Sequence, residues 1–139
     1  MPELPPRLTE ILEDLSLLPD RQEKIDYLIS LAGEFTNPGP ELPRTSETRV
    51  PGCESEVYVA PVNDHLRIAV DNPQGISAMA LAAALEESLN GATQQAIESV
   101  QEDIVYRIFG TELSMGKSMG LTGIVRMSKE VAKKLATRS

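Results

Sequence analysis

The hydrophobic pattern changes period twice along the chain, and few folds tolerate such a change. Up to about residue 35 the apolar residues recur at three- and four-residue steps, between 54 and 70 they alternate, and after 75 the helical spacing returns. A chain written this way needs helices packed on a small sheet, an α+β layer in which a hairpin is covered by helices. Leu8, Ile11, Leu12, Leu15 and Leu18 predict a first helix ending near Pro19. Asp20 with Glu23 predicts a capped second helix carrying Ile25, Leu28, Ile29, Ala32 and Phe35, stopped by Asn37-Pro38-Gly39-Pro40. Residues 36–47 lack periodicity and read as a surface loop.

From Glu54 to Val62, Val57 and Val59 face one way and Glu56 and Tyr58 the other, as in a strand. Asn63-Asp64 turns the chain into a second strand with Leu66, Ile68 and Val70 on one face, antiparallel because the connection is short. Thr48 to Val50 is too short for alternation to decide whether it adds a strand. The Ala-rich stretch Ile76 to Leu89 predicts a helix stopped by Asn90-Gly91, and Thr93 caps another running to about Asp103. Residues Ile104 to Phe109 fit a buried strand or a helix tail equally. A last helix is expected from near Ser118, with Leu121, Ile124, Val125, Val131, Ala132 and Leu135 on one face and Lys129, Lys133 and Lys134 near its C-terminal end.

No internal repeat or self-sufficient half divides the 139 residues, so one domain over 1–139 is expected. A formal net charge of −8 disfavours nucleic acid and anionic membrane, whose binding begins with cations neutralising phosphates. No apolar run is long enough to span a bilayer, and the prolines of the first seven residues do not read as a secretory leader, so a cytoplasmic location is expected. One cysteine makes no intramolecular disulfide and cannot alone hold a structural zinc or a cluster. No metal or cofactor is expected. Cys53 is therefore either a small core residue or a reagent.

Pro51-Gly52 is turn chemistry directly before a strand, which lifts Cys53 onto a bend at the end of the sheet. A thiol there can meet another protein, although its neighbours Glu54 and Glu56 raise its pKa unless Arg49 or Lys117 folds close. Gly110 to Ser118 imitates a phosphate-binding loop. It has five residues between its glycines where four are needed, and only 21 residues follow Ser118, too few for the rest of such a domain. Gly116 and Gly120 read instead as turn geometry and close helix packing. His65, the sole histidine, sits in the hairpin turn with no orienting partner, and the acid pairs Glu86-Glu87 and Glu102-Asp103 read as solvated helix faces. Met115, Met119 and Met127 suit either an adaptable contact surface or core packing.

The run Val50-Pro51-Gly52-Cys53-Glu54-Ser55-Glu56-Val57-Tyr58-Val59 resembles the V-x-G-C-x-S-x-V motif of the SufE family. Leu113-Ser114-Met115-Gly116-Lys117-Ser118-Met119-Gly120-Leu121 resembles that family's L-S-x-x-R-x-x-G-L, with Lys117 in place of arginine. The likeness extends to the helix bearing Tyr27-Leu28-Ile29, the hairpin after the cysteine and the helix leading to Gly91. Glu54 and Glu56 stand where glutamine is commoner, and Asp71-Asn72-Pro73-Gln74 departs from the usual small polar turn.

The resemblance implies a fold shared with IscU-like cluster scaffolds, with the thiol at a loop tip, partly tucked into an apolar pocket. It implies that Cys53 accepts persulfide sulfur from a SufS-type cysteine desulfurase, stimulating that enzyme, and that the sulfur passes to a SufBCD-type scaffold for iron-sulfur cluster assembly. Val50, Pro51, Gly52, Ser55, Lys117 and Gly120 would shape the loop or the partner surface. A homodimer stays open. An IscU-like scaffold would need more thiolates than this chain owns, and a non-catalytic interaction module would leave the cysteine incidental.

Overall fold

The computed structural model of the protein describes residues 3–110, 113 and 115–138. Ser114 of the second motif, and Thr111 and Glu112 of the P-loop imitation, lie outside the described residues. Helix α1 (Pro6–Leu17) starts with proline in its first turn, which has no use for the missing N–H, and buries Leu8, Ile11 and Leu15. Asp20 then caps α2 (Arg21–Gly33) by accepting the Glu23 amide at 2.8 Å. The buried stripe of α2 is Leu28, Leu31 and Ala32, whereas Ile29, expected inside, is 50% exposed, one residue and about 100° round the helix from Leu28. Tyr27 donates to the Asp14 carboxylate at 3.0 Å and ties the two helices together; burial first, then that carboxylate, pushes its pKa up to about 12.

Strands β1 (Glu56–Val62) and β2 (His65–Asp71) pair antiparallel, from Glu56 opposite Asp71 to Val62 opposite His65. Asn63 and Asp64 both take positive φ, 51° and 64°, the turn whose twist matches a two-residue hairpin. The segment before β1 adds one bridge, Arg49 to Tyr58, with Val50 N–H donating to Val57 and Val59 N–H to Thr48, each at 2.8 Å.

Both sheet faces are covered. Val57, Val59, Leu66, Ile68 and Val70 join the main core, while Tyr58, Ala60 and Ala69 pack under Leu42 of the 36–47 loop. Arg44 fastens that loop: it donates to Asp71 at 3.1 Å and to the carbonyls of Pro38 and Leu42 at 2.8 Å, above the Tyr58 ring.

The outer edge of β2 would offer bare amides to any other strand, and side chains close it. Leu66 N–H donates to Asn90 at 2.7 Å, Ile68 N–H to Glu86 at 2.7 Å and Val70 N–H to Asn37 at 2.8 Å. Glu86 is thus no solvated face, as its sequence context suggests; burial pushes its carboxyl upward, opposed by the Ile68 amide and Arg67. Glu87 and Glu102 do lie at the surface, paired with Arg7 and Arg126.

Helix α3 (Ser77–Leu89) is buried almost all round, as its alanines allow, and packs on α1, α2 and β2. Thr93 caps α4 (Gln94–Ser99). This helix ends four residues before Asp103, and Lys129, from the last helix, donates to the carbonyls of Glu98 and of the following Val100. The ambiguous residues form a separate short helix, α5 (Ile104–Phe109), ended by Gly110 at φ 89°. Helix α6 (Met115–Arg138) begins three residues before Ser118 and buries Leu121, Ile124, Val125 and Ala132. Among the described residues the protein is α+β, six helices on one antiparallel hairpin, and no described helix is long and apolar enough to cross a membrane.

Candidate functional site

The loop 50–55 leaves the sheet bridge, turns, and enters β1. Val50 anchors it, 1% exposed in the core. Gly52 makes the turn at φ 78°, a left-handed conformation that side chains rarely adopt, so Pro51-Gly52 sets the bend that its composition predicts. Cys53 follows, half-buried and packed against the main core. Ser55, buried, accepts the Gln74 amide at 2.8 Å and ties the loop to the segment after β2, where Asn72 also bonds the Glu56 carboxylate.

The other wall is α6. A Cβ built on Gly120 would lie 2.8 Å from the Cys53 Cα and 3.1 Å from the Gly52 carbonyl oxygen. One on Gly123 would lie 3.0 Å from Val50 Cγ1, and one on Gly116 would reach only Glu54, at 3.9 Å. The helix therefore presents bare backbone to the cysteine, and Gly120 is the point of closest approach. Gly123 escaped sequence reasoning, although it stands one helical step from Gly120.

Beneath the thiol lies a cavity of ≈ 20 Å³ lined by Cys53, Ser55, Gln74, Ala78, Lys117 and Leu121, with room for about one water-sized group. The structure thus brings Val50, Pro51, Gly52, Cys53, Ser55, Lys117 and Gly120 together. Leu121, the last residue of the second motif, and Gln74, of the turn after β2, join them, together with Ala78 of the Ala-rich helix, which carries no sign of this role in the sequence. Met115 and Met119 stand exposed one turn apart on the same end of α6, whereas Met127 packs against the core.

The thiol is not activated at rest. Its pKa is raised above the ordinary cysteine value, first by burial, with the Glu54 charge adding to it; the Ser55 amide and the Arg49 charge act in the opposite sense. The direction agrees with the sequence expectation, but burial rather than the acids leads, and Glu56 is turned to Asn72. A thiol whose neutral form is favoured reacts less at neutral pH and gains as pH rises. Alkylation of Cys53 by a small thiol reagent is therefore expected to titrate with a midpoint above that of free cysteine, and to return to the ordinary midpoint in denaturant. A native midpoint at or below the ordinary one would contradict the burial seen here.

His65 opens β2 at the other end of the hairpin, exposed, its Nδ1 2.9 Å from the Asn63 carbonyl. A seven-residue strand separates it from the Cys53 end by about 20 Å, so the two form no pair. Among the described residues no cluster of His, Cys, Asp or Glu could hold a metal ion.

A family model described as SufE, Fe-S metabolism associated domain, matches residues 9–132. No curated protein matches the chain. The solution structure of a hypothetical protein from Thermus thermophilus superposes with a TM-score of 0.72 at 24% identity, covering 98% of this chain and 99% of that one, a likeness of fold.

Proposed function

The chain belongs to the SufE family, associated with iron-sulfur metabolism, and we propose that its part there is to carry sulfur on Cys53 from a cysteine desulfurase toward cluster assembly. The observation that carries this reading is the setting of the thiol: the chain's one cysteine sits on a glycine-made bend, over a cavity with room for about one added atom.

The step is an exchange at sulfur. The Cys53 thiolate attacks the terminal sulfur of the donor's persulfide, a bond forms between Cys53 Sγ and that sulfur, and the donor's S–S bond breaks. The donor cysteine leaves as a thiolate, so charge and electrons balance with no outside oxidant or reductant. Repeating the exchange on an acceptor thiolate unloads the carrier. Since burial disfavours the attacking thiolate, docking must lift the loop or supply positive charge, and Lys117 beside the cavity is the nearest cation on α6. Met115 and Met119 provide an adaptable apolar rim for the partner. Lysine here presents a point charge where the family's arginine presents a planar fork, so the contact it makes differs from the one an arginine would make.

Incubation with a SufS-type desulfurase and cysteine, followed by intact mass measurement, is expected to show one added sulfur per chain, removed by a reductant. A desulfurase that turns over while the carrier gains nothing would end this reading.

A further inference from the structure

A groove of ≈ 980 Å³ runs between the α1–α2 turn and α5, and it meets the cysteine cavity, because Ser77 and Lys117 line both. Leu12, Leu15, Ile25 and Phe109 contribute apolar side chains to its lining. Its charge runs against that of the chain. Of 13 lysines and arginines, Arg21, Lys24, Arg107 and Lys117 stand on its described walls, against one of the 21 acids, Asp20. The Asp20 carboxylate is itself engaged in capping α2. In a protein of net charge −8, a cation-rimmed groove of mixed polar and apolar lining, opening beside the thiol, selects for acid among the surfaces that approach it.

Resting on the carrier reading above, we propose that this groove receives a segment of the sulfur-donating desulfurase that carries carboxylates and apolar side chains. The carboxylates face Lys24 and Arg107, and the apolar side chains lie on Leu12, Ile25 and Phe109. The groove fixes the donor's orientation and leaves Cys53 at the open end, where the persulfide arrives. It is a docking element and takes no part in the exchange at sulfur.

The test is the rate of sulfur loading against carrier concentration, at low and high salt, for the wild type and for Lys24→Glu with Arg107→Glu. Both residues are exposed, and Lys24→Glu alone is compared with Lys134→Glu on the far end of α6, an equal change of net charge away from the groove. The double variant is expected to need roughly tenfold more carrier for half-maximal rate, with kcat unchanged and a flatter salt dependence, because rim charges act chiefly on encounter. Alkylation of its Cys53 without desulfurase should match the wild type. Should that rate differ, Lys24→Gln with Arg107→Gln replaces it and is expected to flatten the salt dependence with a smaller rise in KM. A wild type that loads beside a double variant with the same KM and salt response overturns the groove alone. Unchanged loading with altered self-association would make the occupant a second copy and also overturn it. A wild type that never loads sinks the carrier reading, and the groove with it.

Discussion

Cys53→Ser is expected to carry no sulfur after incubation with desulfurase and cysteine, and to leave the desulfurase turning over at its carrier-free rate. Persulfide transfer needs an ionised sulfur nucleophile, and the chain has one cysteine; methionine thioethers have no proton to lose, and a hydroxyl ionises far less readily than a thiol. The effect on activity is therefore total rather than graded. The effect on stability is small. The half-buried site asks a serine hydroxyl to give up part of its hydration, which costs about 1–2 kcal/mol, and Cys53→Ala, which brings no hydroxyl, avoids this. Both variants should lose loading completely while differing slightly in denaturation midpoint. A bound sulfur surviving in either would place the carrier function elsewhere.

Local physics explains which parts of this molecule could be read from its sequence. The stripe Leu8, Ile11 and Leu15, the Asp20 and Thr93 caps, and the Asn63-Asp64 turn depend on residues within a few positions of one another, and all appear where the spacing puts them. The misplaced features depend on distant partners. Helix α4 stops at Ser99, where Lys129 crosses from α6 to the carbonyls of Glu98 and Val100, and no local signal announces that crossing. Tyr58 alternates toward the outer face, as expected, but is buried there because Leu42 folds over it. Glu86 looks like a surface acid until β2 is seen to need an acceptor for the Ile68 amide. The site divides in the same way. Pro51-Gly52 shows that Cys53 stands on a bend, whereas nothing local shows that Gly120 lies against it, because helix α6 returns from the far end of the chain to do so.

That long-range contact makes Gly120→Ala a disruptive single methyl group, set against backbone of the cysteine loop. In an ordinary helix interior, replacing glycine by alanine stabilises by about 0.5–1 kcal/mol, since glycine has more backbone freedom to lose on folding. Here the new Cβ would stand 2.8 Å from the Cys53 Cα and 3.1 Å from the Gly52 carbonyl oxygen. Both are backbone atoms with no rotamer to move aside. Relieving the clash means displacing α6 or the loop, an overpacking penalty of about 1–3 kcal/mol, which exceeds the helix gain. The loop is the softer of the two, since it is a short turn between the sheet bridge and β1 whereas α6 buries Leu121, Ile124, Val125 and Ala132 in the core. Gly120→Ala should therefore lower the melting temperature and lift the thiol toward solvent. Relief of burial, the leading cause of its raised pKa, would then increase alkylation at neutral pH several-fold. Gly116→Ala, whose Cβ would meet only the Glu54 carboxylate at 3.9 Å, is the control: it should leave thiol reactivity unchanged and should not lower the melting temperature. Equal stability and equal thiol reactivity in Gly120→Ala and the wild type would mean that α6 does not press on the cysteine loop in solution.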